Sequence, residues 1–146
     1  MKKIKNFTNT EHRFLSNFYP CTISFLDITY PSVEHAFQAE KTLDMEIRKK
    51  IAKAPTPGYA KKMGRKLKLR PDWEELKDVV MFILLQQKFA IPKFRRGLLA
   101  TGDAEIVEGN NHGDSYWGVY RGVGQNKLGK LLMRVRQEIQ DEKTKT

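Results

Sequence analysis

The chain predicts an α+β fold: one mostly helical domain, residues 1–146, with a small β-sheet. Three observations carry that prediction. Apolar residues recur at spacings of three and four over several long segments. Only short stretches combine β-branched and aromatic residues in the manner of strands. The regular strand–helix alternation of a doubly wound sheet is missing.

Taken in order, Cys21 to Tyr30 reads as one strand or a tight hairpin, with Asp27 as the turn residue. Ser32 to Thr42 reads as a helix, preceded by Pro31 and capped by Ser32. Asp44 to Ala54 is a second helix, stopped by Pro55-Thr56-Pro57-Gly58. Tyr59 to Leu67 is a short basic helix. The longest helix is expected from Pro71-Asp72 to Ile91. Trp73, Leu76, Val80, Ile83 and Gln87 fall at helical spacing there, and Val79, Phe82 and Leu84 widen the stripe. Pro92 interrupts it, and Lys93 to Ala100 restarts as helix up to Thr101-Gly102. Ala104 to Glu108 is a short strand, and Asn126 to Gln140 is the terminal helix. Leu128, Leu131, Leu132, Val135 and Ile139 share one face of that helix. Residues 141–146 read as a polar tail.

Composition narrows the function. Hydrophobic content of 40% fits a soluble globular chain, and no apolar run reaches membrane-spanning length. The basic N-terminus is followed by Thr8, Asn9, Thr10 and Glu11 where a secretory signal needs an apolar core. Cys21 is the single cysteine, which precludes an internal disulfide and suits a reducing cytoplasm. Within a strand-like stretch it reads as a packed core thiol. Net charge is +10, and residues 48–70 hold ten basic side chains with no Asp or Glu. Such a lobe is either a solvated helical surface or a collector of anions, including nucleic acid.

The most informative motif is Asn111-His112-Gly113-Asp114-Ser115-Tyr116-Trp117-Gly118. Its glycine content permits close approach of backbone to a ligand. Trp117 offers a flat apolar face and Asp114 a negative charge, together a wall for a planar polar molecule. A second motif places Glu34, Gln38 and Lys41 at i, i+4 and i+7 of one helix, so they share a stripe. Glu34 lies in the first turn, where the helix dipole favours its ionised form. The stripe reads either as a sugar or phosphate site or as a solvated polar face. Asn17, between Phe14 and Phe18, is either a turn residue or a bidentate amide. Trp73 reads as core or as a stacking ring. Arg65 can hold phosphate, and Asn126 opens a helix whose free N–H groups can do the same. His12, His35 and His112 lack metal-ligand spacing.

The blocks FLSNFYP, YPSVEHAFQAEK, MGR, Trp73, QQKF, LLATGD, IVEGN and HGDSYWG…GQNKLGKLLMRVR run in order, within a match that extends from about Phe7 to Gln140. This set resembles the NADAR, or YbiA-like, N-glycosidase family. The resemblance implies an N-glycosidase of α+β fold, requiring no metal or other cofactor. One branch cleaves ribosylamine bonds in early riboflavin-pathway intermediates; another removes ADP-ribose from guanine in DNA or RNA. It maps functional positions onto Glu34, Trp73, Asp114 and Trp117. The expected partners are a phosphorylated ribosylamine or an ADP-ribosylated substrate, with the basic segment 48–70 as a track for nucleic acid.

The mechanism implied is hydrolysis at ribose C1. Glu34 stabilises the developing positive charge and activates water. Asp114 serves the ribose hydroxyls, the leaving nitrogen or the water, and the two carboxylates are interchangeable at this level. Trp117 and Trp73 wall in the base. Asn17, Phe18, Gln38 and Gly118 complete the pocket. Lys41, Arg65 and the helix start at Asn126 are phosphate holders. A second route makes Lys41 a Schiff-base nucleophile. Outside enzymology, the alternative is a module that binds ADP-ribose or a nucleotide without cleaving it.

Overall fold

A computed structural model describes residues 2–144. In chain order the elements are β1 (Lys3–Ile4), a 3-10 turn (Arg13–Leu15), β2 (Ile23–Phe25), β3 (Ile28–Tyr30), α1 (Val33–Ala39), α2 (Met45–Ala52), α3 (Pro57–Arg65), α4 (Trp73–Lys88), α5 (Pro92–Ala100), β4 (Glu105–Ile106), β5 (Gly109–Asn110), β6 (Val119–Tyr120) and α6 (Lys127–Thr144). This is the predicted α+β class. The strands form three separate two-stranded pairings among the described residues: β1 with β4 and β5 with β6, both parallel, and β2 with β3, antiparallel. The chain divides into two compact units, Asn17–Lys88 and the remainder.

In Asn17–Lys88, α1 packs against α2, α3 and α4. Every residue of α1 is buried, because neighbours cover it on all sides. The β2–β3 hairpin turns at Leu26 and Asp27, both with positive φ, as a two-residue turn matching strand twist requires. The Gln87 amide caps the outer edge of β2, accepting from the Ser24 N–H (2.7 Å) and donating to its carbonyl (2.8 Å). α3 begins two residues before the predicted start. Thr56 accepts from the Tyr59 N–H at 3.0 Å and Pro57 takes the first helical position. The Thr-Pro pair, read as a helix stop, is a helix start as well.

α4 ends at Lys88, three residues short of the prediction. Pro92 forces Ile91 into extended backbone, and the chain turns before it.

In the other unit, α5 packs on α6 and on the 3-10 turn, and α6 covers β4. α6 continues through Thr144, so residues 141–144 are helix rather than a polar tail; 145 and 146 lie outside the described residues. The Gln137 amide donates to Asp141 (2.9 Å) and Glu142 pairs with Arg95 (3.2 Å), which holds the last turns. Among the described residues no helix is long and apolar enough to cross a membrane.

Candidate active site

The sequence-predicted residues fall into two groups, one in each unit. Asn17, Phe18, Glu34, Gln38, Lys41, Arg65 and Trp73 belong to Asn17–Lys88. Asp114, Trp117, Gly118 and Asn126 belong to the other.

The first group is built on the start of α1. Ser32 caps the helix by accepting from the His35 N–H at 3.1 Å. The Glu34 N–H, otherwise an orphan of the first turn, donates to the Asn17 carbonyl at 3.1 Å. This bond ties the Asn17 segment to the residue bearing the carboxylate. Glu34 is only 7% exposed, and one turn later the Gln38 amide donates to its Oε1 at 2.9 Å. Gln38 Oε1 and Asn17 Oδ1 are both buried without a hydrogen-bond partner. The Asn17 amide nitrogen donates to the Met81 sulfur at 3.5 Å.

α1 stops at Ala39, three residues short of the predicted Thr42, so Lys41 lies not on the helical stripe but in the turn after it, its N–H donating to the Gln38 carbonyl at 3.2 Å. Burial holds its ammonium below the usual lysine range and Glu34 pulls it back up. Arg65, Lys61 and Lys77 push it down again. The Glu34 carboxylate and Gln38 amide on α1, Lys41 just past its end, and further cations from α3 and α4 therefore form a charge cluster. Sequence reasoning missed Lys61 and Lys77. The signal for Lys61 was its i, i+4 spacing from Arg65 on α3; Lys77 carried none.

Trp73 is buried and tilted against Phe37, with ring centroids 5.1 Å apart. It backs α1. His35 is wired into the interior, Nδ1 to Ser32 Oγ (2.7 Å) and Nε2 to the Ala54 carbonyl (3.0 Å). The carbonyl can only accept, so Nε2 carries the proton, and burial lowers the ring's pKa.

The second group is a loop network. Asp114 Oδ1 accepts from the Tyr116 and Trp117 N–H groups at 3.1 and 2.9 Å. Asn110 clamps Asp114 from the other side, accepting from its N–H (3.0 Å) and donating to its carbonyl (2.8 Å). The Trp117 carbonyl accepts from the Leu128 N–H at 2.9 Å, which joins the loop to α6. Gly118 is required by space: a Cβ there would overlap the side chain and carbonyl of Glu108. Asn126 is buried, with φ +51, and its amide accepts from the Glu108 N–H (3.0 Å) and donates to the Ile106 carbonyl (2.9 Å). Its side chain thus ties the 106–108 segment to the start of α6. Glu108 and Asn110 are the residues the motif reading left out, although the IVEGN block contains both. No group of three His, Cys, Asp or Glu among the described residues is placed to hold a metal.

The NADAR domain family matches residues 5–140. The chain belongs to the NADAR family. It is 40% identical over 140 residues to the N-glycosidase YbiA of Escherichia coli strain K12, covering 93% of this chain and 87% of that one. It is 38% identical over 134 residues to the riboflavin biosynthesis protein VVA0006 of Vibrio vulnificus, covering 89% of this chain but 36% of that protein. This chain therefore corresponds to about a third of the Vibrio protein. The solution structure of E. coli YbiA superposes with a TM-score of 0.86 at 37% identity, over all of this chain and 90% of that one. Membership places the chain among hydrolases that act on N-glycosyl compounds.

Proposed function

We propose that this NADAR domain hydrolyses the bond between ribose C1 and an exocyclic amine in ribosylaminopyrimidine 5′-phosphates of riboflavin biosynthesis. The observation that carries this reading is the Glu34 cluster. It is a buried carboxylate, fixed by an amide, with lysine and further cations beside it. A sugar phosphate has complementary needs: a carboxylate for the cationic sugar of the transition state and cations for the phosphate. The names of the E. coli and Vibrio relatives point to the same chemistry.

In the direct route, water attacks C1 as the C1–N bond breaks. Glu34 stabilises the developing positive charge and takes the water's proton, and the leaving nitrogen is protonated. Lys41, Arg65, Lys61 and Lys77 serve the phosphate. Asp114 and Trp117 are assigned on chemical grounds: a carboxylate for sugar hydroxyls or the leaving nitrogen, and a flat ring for the planar base. The lowered basicity of Lys41 supports a second route. In it the neutral amine adds to C1 of the ring-opened imine and the base's amine departs with its proton. Water then releases the sugar aldehyde and restores the lysine. Borohydride during turnover distinguishes them. A reduced adduct on Lys41 establishes the second route, and none leaves direct hydrolysis.

A second substrate reading, removal of ADP-ribose from guanine in nucleic acid, is favoured by the surface. Lys49, Lys50, Lys53, Lys62, Arg65, Lys66 and Lys68 are exposed, and so are the rings of Phe18 and Tyr59. Cations with stacking rings suit a single strand. A parallel assay decides. Release of ribose 5-phosphate from the pyrimidine intermediates supports the first reading. Release of ADP-ribose from modified DNA, with no such turnover, replaces it with the second.

A further inference from the structure

We infer that Gln38, held in place by Gly64, is the positioning residue for the Glu34 carboxylate, and that Gly64 is a glycine for this purpose. The inference rests on the reading of Glu34 as the reacting group. Gln38 stands one turn after Glu34, and its Nε2 donates to Glu34 Oε1 at 2.9 Å. The amide has one useful orientation. Turned over, it would set its oxygen against the carboxylate, with no proton between them.

The other end of the amide explains Gly64. Gln38 Oε1 has no hydrogen-bond partner, yet it is pressed against α3. A Cβ at position 64 would overlap that oxygen and come within 2.8 Å of Gln38 Cδ and 3.1 Å of its Cβ. Gly64 lies in the last turn of α3 and is absent from the positive-φ positions, so the helix itself has no conformational need of glycine. Glycine is a poor helix former there. Its value is the space it leaves. The glutamine fills that space, and its amide is wedged between the α3 backbone and Glu34.

Two consequences follow for the chemistry. The carboxylate is held in one orientation, and orientation is a large part of catalytic power. An N–H donated to a carboxylate favours the charged form, so losing it moves the acid limb of the rate profile to higher pH. A glycine that served only close packing of α1 on α3 would produce neither kinetic signature.

The test uses the full chain and a ribosylaminopyrimidine 5′-phosphate as substrate. Gly64→Ala is expected to lose kcat by roughly 10- to 100-fold with KM nearly unchanged, since small misplacements cost this much. Gln38→Leu, which keeps the bulk and removes the donor, is expected to lose kcat similarly and to shift the acid limb of kcat/KM upward. Adding Gly64→Ala to Gln38→Ala should cost little further, because the overlap with Gln38 Oε1 and Cδ is gone and only the 3.1 Å approach to the Cβ at 38 remains. Full kcat in Gly64→Ala, an unmoved acid limb in Gln38→Leu, or additive losses in the double variant would each overturn the inference. If Gly64→Ala does not fold, the Gln38→Leu profile decides alone. Glu34→Gln separates the levels. Full activity there defeats the reading of Glu34 itself. A dead Glu34→Gln beside a normal Gly64→Ala defeats only the positioning role.

Discussion

In Asn17–Lys88 the candidate side chains stand on or beside α1, and several buried polar atoms have no partner. Asn17 Oδ1, Gln38 Oε1, Tyr30 Oη and Glu40 Oε2 are all of this kind. In the other unit the Asp114, Asn110 and Asn126 side chains bond to backbone, and among the described residues Glu108 Oε2 is the one atom of this unit in the same set of buried polar atoms. Asp114, Asn110 and Asn126 between them bond eight backbone groups: the N–H of His112, Asp114, Tyr116, Trp117 and Glu108, and the carbonyls of Asp114, Val119 and Ile106. Buried polar atoms are nearly always paired, and those left over gather where function outweighs stability. The contrast assigns chemistry to the Glu34 cluster and scaffolding to much of the Asp114 loop.

The largest expected effect tests the first half of that contrast. Glu34→Gln preserves size and the backbone bond to Asn17, and it removes the charge. Loss of kcat by ~10²–10⁴-fold is expected, the range for a positioned acid–base group. Circular dichroism and Tm should be unchanged within about 1–2 °C, as for a substitution that leaves packing intact. A fully active variant would move the chemistry out of this unit.

The next effect concerns the loop. Asp114→Asn keeps an oxygen able to accept from Tyr116 and Trp117, while Asp114→Ala keeps none. Both should lose activity if the charge takes part in the reaction, by ~10²-fold. Only the alanine should also lose stability, by about 1 kcal/mol, as when a capping side chain is removed. If the asparagine variant turns over at the normal rate and the alanine does not, Asp114 is a loop cap and the contrast is complete. An inactive but fully stable asparagine variant gives the loop a share of the chemistry.

The same contrast explains what could be read from the chain alone. Ser32, Glu34 and Gln38 were legible because capping and helical spacing are local, whereas the spacing predicts Lys41 on a helix that ends two residues before it. Residues four apart on a helix meet whatever surrounds them. The Asp114 loop was legible as unusual but not as to bonding. Its Asx-type contacts span only two and three residues, a pattern that aspartate before an irregular segment already suggests. Gly64 against Gln38, Lys77 near Lys41 and Asn126 against Glu108 were not legible. Each is made by packing between elements distant in sequence, which no local period encodes. The extra turn of α6 was not legible for a related reason: its end is polar, and the Arg95–Glu142 pair that holds it joins residues distant in sequence. The overall class survived these misses because it depends on element type rather than on element ends.

The smallest expected effect lies in the same unit but away from the Glu34 stripe. Tyr30 is fully buried, its hydroxyl lacks a hydrogen-bond partner, and its pKa is pushed up to about 12 by burial and by the nearby Glu40 carboxylate. The folded chain therefore keeps the phenol proton after the unfolded chain has begun to release it near the ordinary value of 10. With more protons bound in the folded state, stability falls as pH rises from about 10 to about 12. Tyr30→Phe removes both the titration and the unpaired oxygen. It should stabilise the protein at neutral pH by about 1 kcal/mol, the lower end of the cost of a buried unsatisfied group. It should also flatten urea-derived stability across that alkaline window while leaving kcat at pH 7 untouched. A destabilised Phe variant would mean that the hydroxyl is doing something useful in the interior. The unpaired atoms of this unit would then no longer divide into those near Glu34 that serve the reaction and those that merely cost stability.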